Sequence, residues 1–113
     1  MSKVVIAGGR YERLNEERTL ELQRNCSLHS VTHVVTGGSK GIDVDAHKWA
    51  KAQGYETTVV PAMWAIHGSS AGPRRNAIMA DMADFGILFP GGKGTANMED
   101  QLSVRGKLIV RLS

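Results

Sequence analysis

The chain has 113 residues, of which 42% are hydrophobic and 22% charged, with a formal net charge of +3. That is enough for one domain with a buried core and too little for two, and the composition excludes disordered and fibrous classes. A mild positive balance suits a small anionic ligand. The scattered basic residues and 5% aromatics argue against single-stranded nucleic acid, which needs a basic groove interleaved with stacking rings. Cys26 is the one cysteine, so no internal disulfide is possible. No apolar run approaches the roughly 18 residues of a membrane span, and no leader pattern precedes the first strand. The expectation is a cytoplasmic protein with no membrane partner.

Lys3–Ala7 is a β-branched run without polar alternation, which marks a strand buried on both faces. Gly8-Gly9-Arg10 ends it. Glu12 to about Asn25 carries Leu14, Leu20 and Leu22 among many charges and reads as a surface helix. Val31–Thr36 is a second strand, leading into Gly37-Gly38-Ser39-Lys40-Gly41. A helix is predicted from Ile42 to about Gln53, with Gly54 as its stop. Thr57–Val60 is a third strand. The segment from Ala62 to Gly72 is expected to be irregular, and Pro73 fits the first turn of the next helix. Phe85–Phe89 is a fourth strand, Ala96–Val104 a helix, and Leu108–Leu112 a fifth strand.

Strands alternating with helices call for a parallel sheet covered on both sides, joined by right-handed crossovers. The expected fold is α/β, a Rossmann-like three-layer sandwich of about five mostly parallel strands, with residues 1–113 forming one domain. Ligands of such sheets bind beyond the carboxyl ends of the strands, near the point where strand order reverses. The glycine clusters at 8–9, 37–38, 68–72 and 91–94 all follow strands, so they are predicted to share one rim.

That rim supplies the candidate site. Phe89-Pro90-Gly91-Gly92-Lys93-Gly94-Thr95 is a strand, a glycine-rich turn and a helix start, an arrangement that brings backbone N–H groups to an anion. Gly91, Gly92, Gly94 and Thr95 are candidates there, with Gly8, Gly9 and Arg10 after the first strand. Gly37, Gly38, Ser39 and Asp43 form a second such turn, where Asp43 serves either the helix start or a ribose hydroxyl. Arg75 and Asn76 sit at a helix start, and a guanidinium matches phosphate in a bidentate way. Trp64 either stacks on a base or packs beneath its loop. His67 could approach a ligand, whereas Asp45 and His47 are expected to face solvent. The histidines and Cys26 have no metal-ligand spacing, no P-loop or GxGxxG spacing is present, and no cofactor is implied.

The segments TGGSKGID, PAMWAIHGSSAGPRRNAIM and FPGGKGTANM resemble the YspA/YpsA-related SLOG family of bacteria and phages, over nearly the whole chain. The wider group includes phosphoribohydrolases that cleave nucleoside monophosphates, a DNA-processing protein and sensor domains for nucleotide signals. The resemblance implies a Rossmann-like fold, a nucleotide or nucleotide-derived ligand at the glycine rim, and a homodimer or larger homo-oligomer. The hydrolases carry a catalytic glutamate where this chain has Asn97, and Glu99 is displaced from that position by two residues. On a helix that shift turns a side chain by about 200°. Met63 also stands where the family commonly has an aspartate. With two acids missing, a sensing or sequestering module is expected ahead of a nucleotide N-glycosidic hydrolase, which would use Asp43 or Glu99 as its acid.

Overall fold

The computed structural model describes residues 2–113. Its elements are β1 (Ser2–Ala7), α1 (Glu16–Leu28), β2 (Val31–Thr36), α2 (Ile42–Ala52), β3 (Glu56–Val59), the single turn α3 (Trp64–His67), α4 (Ala71–Met82), β4 (Phe85–Leu88), α5 (Lys93–Val104) and β5 (Leu108–Arg111). A 3₁₀ turn, Gly68–Ser70, joins α3 to α4.

The five strands make one sheet in the order β3-β2-β1-β4-β5, and every neighbouring pair is parallel. β1 lies at the centre, which is why its sequence does not alternate. Val4 and Ile6 point into a core shared with Leu22 and Cys26 of α1 and Ile42 and Ala46 of α2. Val5 and Ala7 point the other way, into a core with Met79 and Ala80 of α4 and Met98 and Leu102 of α5. The strand period of two thus divides one apolar run between two helical layers. This is the expected three-layer α/β sandwich. From β1 the chain moves outward through β2 to β3, then returns past β1 to place β4 on its other side. The strand order reverses between β1 and β4.

Several boundaries differ from the sequence reading, each for a local reason. α1 starts at Glu16 rather than Glu12, because the Asn15 side chain accepts the Arg18 N–H at 2.8 Å and so caps the helix. Glu12 stays in the loop, paired with Arg18 at 2.9 Å. α5 begins at Lys93, so Gly94 and Thr95 belong to its first turn and not to the loop. The segment before Pro73 is not irregular throughout, since it holds α3 and the 3₁₀ turn. Gly54, with φ +85°, follows the end of α2 as expected.

Asp45 and His47 do not face solvent. Asp45 accepts two hydrogen bonds from Arg13, at 2.8 and 2.9 Å, and a third from the Leu14 N–H at 3.0 Å. It fastens the loop after β1 to α2, and the bond from Arg13 is the main cause holding its carboxyl below the usual range. The His47 Nδ1 is buried without a hydrogen-bond partner among the described residues.

Candidate functional site

Where β1 and β4 part, their loops remain tied. The Gly9 N–H donates to the Pro90 carbonyl at 2.8 Å, and the Phe89 N–H to that of Ala7 at 2.9 Å. Above this junction opens a cleft of about 770 Å³. Three of the four glycine clusters expected on one rim line this cleft, and the turn that holds the 37–38 pair reaches it only through the residues that follow. Gly8, Gly9 and Arg10 come from the end of β1, and Ser39 and Asp43 from the turn into α2. Trp64 of α3 and Arg75 and Asn76 of α4 form another side. Gly91, Gly92, Gly94 and Thr95 complete it at the start of α5. Gly91 admits no side chain, because a Cβ there would collide with Thr95 Oγ1.

Gly37 and Gly38 are not in the lining. Gly37 stands behind it as a support, its carbonyl accepting Arg75 Nη1 at 2.6 Å. Gly38 turns the chain at φ +75° beside Val59. His67 also lies outside the lining, its carbonyl taking the Ser70 hydroxyl at 2.9 Å. Sequence reasoning missed Lys93, Asn97 and the apolar Met79 and Met98 as cleft residues. The signal for Asn97 lay in the FPGGKGTANM resemblance, which sets it against the glutamate of the hydrolase motif.

The electrostatics divide the cleft. Arg75 is half-buried, and burial pulls its pKa down against the attraction of Asp43, with the charge of Arg10 also lowering it. Arg10 itself is exposed. Neither Arg10 nor Arg75 is in an ion pair among the described residues, whereas Glu12, also in the lining, is paired with Arg18. Asp43, a carboxylic acid, is 5% exposed as a residue. Burial pushes its carboxyl up to about 6, in spite of N–H donors at Ser39 and Gly37 and the nearby Arg75 charge. Its backbone donors therefore come from the preceding turn; the Ser39 N–H reaches Oδ2 at 3.3 Å.

The helix starts differ in the same sense. α1, which begins away from the cleft, has a side-chain cap and two glutamates in its first turn. α5, which begins in the cleft, has Gly92 at its N-cap, no side-chain cap and no acidic residue in its first turn. Neither a capping side chain nor a first-turn carboxylate of its own compensates its positive dipole end. Glu99 points away from the cleft, accepting from Arg111 Nε at 2.8 Å. No group of three or more His, Cys, Asp or Glu side chains able to hold a metal occurs among the described residues. No helix among them is long and apolar enough to cross a membrane.

No family model matches the chain, and no curated protein matches it. Two solved structures are similar in fold. One is TM1055, a structural-genomics target, with a TM-score of 0.75 at 19% identity over 96% of this chain and 72% of that one. The other is DNA processing protein A (DprA) from Streptococcus pneumoniae, with a TM-score of 0.75 at 17% identity over 98% of this chain and 50% of that one. The likeness is one of fold. It places the chain among Rossmann-like α/β sandwiches, and it spans only half the length of the DNA-processing protein.

Proposed function

We propose that this chain binds a nucleotide or nucleotide-derived ligand in the cleft at the β1/β4 junction, as a sensing or sequestering module of the YspA/YpsA-related SLOG type. The observation that carries the reading is the pair Arg10 and Arg75, two guanidinium groups that line one cleft, neither of them in an ion pair among the described residues, with Asp43 near Arg75. A phosphate is the ligand group that satisfies both at once. The open first turn of α5 adds N–H donors and Lys93 adds charge. Trp64 is 52% exposed in the cleft wall, and its ring edge lies against Gly72. That leaves an indole face for a base, with Asp43 at hand for a ribose hydroxyl. Met63 and Ile66, 50% and 69% exposed beside Trp64, favour a homodimer that covers this side of the cleft.

A thermal-shift panel of nucleoside mono- and diphosphates, cyclic nucleotides and ADP-ribose-type molecules tests the proposal. A ligand at about 100 times its Kd stabilises the folded state by about 2.7 kcal/mol, a rise on the order of 10 °C in a domain of this size. The rise is expected in the wild-type chain and lost in Arg75→Ala. A panel without any rise rejects the reading.

One observation keeps N-glycosidic hydrolysis as the second reading. Asp43 is a cleft carboxyl raised to about 6, a value suited to proton donation near neutrality, whereas Glu99 is bound to Arg111 and out of reach. Incubation with nucleoside monophosphates and chromatography for free base decides between the two. Base released by the wild type and not by Asp43→Asn establishes the hydrolase.

A further inference from the structure

Asn97 lines the cleft from α5, and two hydrogen bonds fix which end of its amide is engaged within the protein. The first runs from Asn76 Nδ2 to the main-chain carbonyl of Gly94, at 3.1 Å. A carbonyl only accepts, so the end of Asn76 that faces it must be the NH₂ end, and the usual ambiguity between amide oxygen and nitrogen is removed. The second runs from the same NH₂ group to the Asn97 side chain, also at 3.1 Å. The atom receiving it must be an acceptor, hence the oxygen Oδ1. The Asn97 nitrogen, with two N–H groups, is the end left over. Asn76 is 5% exposed and is tied to α5 at two points, so the relay has little freedom to invert.

The surroundings agree in sign. Lys93 lies one helical turn before Asn97 on the same lining, and Arg75 precedes Asn76 on α4. Lysine and arginine side chains only donate. We infer that Asn97 is a specificity-determining residue, whose amide donates to a phosphate oxygen of the bound nucleotide and selects for an anionic acceptor at that point. The inference rests on the nucleotide reading of the cleft. A carboxylate at position 97, as in the hydrolase motif that FPGGKGTAN resembles, reverses the preference. It still accepts from Asn76, but it presents negative charge where Asn97 presents a donor.

Isothermal titration of adenosine 5′-monophosphate into the wild-type chain, Asn97→Asp and Asn97→Ala near pH 7.5 tests this. Asn97→Asp is isosteric and keeps the bond from Asn76, so its melting temperature without ligand is expected to stay near that of the wild type. It should weaken binding by about 30-fold or more, through a lost donor and an added like charge, and Asn97→Ala by about 5- to 10-fold through the lost donor alone. Binding by Asn97→Asp within threefold of wild type overturns the inference and leaves the nucleotide reading standing. So does a larger loss in Asn97→Ala than in Asn97→Asp, which would make packing the cause. If Asn97→Asp does not fold, Asn97→Ala and Asn97→Ser decide by the same threefold limit. Failure of the wild-type chain to bind at all removes the phosphate reading and the inference with it.

Discussion

Arg75 and Asp43 approach each other across the backbone of Gly37. Arg75 Nη1 donates to the Gly37 carbonyl at 2.6 Å, and a Cβ built on Gly37 would collide with that guanidinium while lying 3.0 Å from Asp43 Oδ2. The missing side chain is what lets a cation on α4 and an acid on α2 occupy the same end of the cleft. Gly37 does not line the cleft itself. It sets the distance between two groups that do.

Gly37→Ala is therefore expected to act on binding through Arg75. The new methyl must displace the guanidinium or shift the β2–α2 turn, and overpacking of this kind costs about 1–3 kcal/mol. Denaturant titration should show a loss in that range. Nucleotide affinity should fall about as far as in Arg75→Ala, because the same group is moved. A Gly37→Ala chain with wild-type affinity would mean that Arg75 does not hold the ligand from its observed position.

Asp43 gives the fold a pH dependence of definite sign. Its carboxyl is raised from 3.8 to about 6 in the folded chain, chiefly by burial. Between those values the folded state binds more protons than the unfolded one, so stability is greatest below about pH 4 in this respect and declines as pH rises toward 6. Above that it is level. A shift of two units corresponds to about 3 kcal/mol at most. Asp45, Asp81 and Glu99 are shifted the other way, and their contributions vanish only as pH falls below the ordinary carboxylate range. Urea unfolding at pH 4.5 and 7.5 should show the wild type losing stability toward the higher pH, with Asp43→Asn flattening the difference. A wild type more stable at pH 7.5 than at 4.5, by the same margin as Asp43→Asn, would contradict the burial assignment.

How far these features could be read from the sequence varies with the range of the interaction. β1 was legible because a central parallel strand shows as an unbroken apolar run, and Gly54 because a helix stop is a local matter of φ. The convergence of four loops followed from topology alone, since parallel strands send all their carboxyl ends to one side. Other roles depend on partners far along the chain. Asp45 read as a surface residue until Arg13 and Leu14, some thirty positions earlier, were seen to close on it. Gly37 read as a ligand loop because nothing local shows that Arg75, 38 residues later, lies against it. Asn76 and Asn97 each looked like single polar side chains, and only the 3.1 Å contact between two helices makes them a relay.

Lys107 closes the far end of α4, away from the cleft. Its Nζ donates to the carbonyls of Ala80 and Ala83, both at 2.6 Å, and to that of Asp81 at 3.3 Å. These are groups that the last turn of a helix leaves without partners, and a cation there also meets the negative end of the dipole. Lys107→Met keeps most of the apolar stem and removes the ammonium. It is expected to cost about 1–3 kcal/mol, as charged hydrogen bonds do, with nucleotide affinity unchanged. A drop in affinity would show that α4 shifts as a whole, carrying Arg75 and Asn76 with it.

If the cleft takes a nucleotide as proposed, Trp64 distinguishes recognition of a base from recognition of phosphate. It is 52% exposed and borders the cleft, so its removal should disturb the fold little. Stacking of a base on an aromatic ring is worth about 1–3 kcal/mol by alanine substitution, which is roughly 5- to 150-fold in affinity. Trp64→Ala is thus expected to weaken adenosine 5′-monophosphate by about that factor while leaving inorganic phosphate as it was. Arg75→Ala should weaken both. Calorimetry with the two ligands on the two variants gives four numbers, and the asymmetry between them is the prediction. Equal losses of phosphate and nucleotide in Trp64→Ala would place the indole against the anion or make it a support for α4, and the base would have to be held elsewhere on the rim.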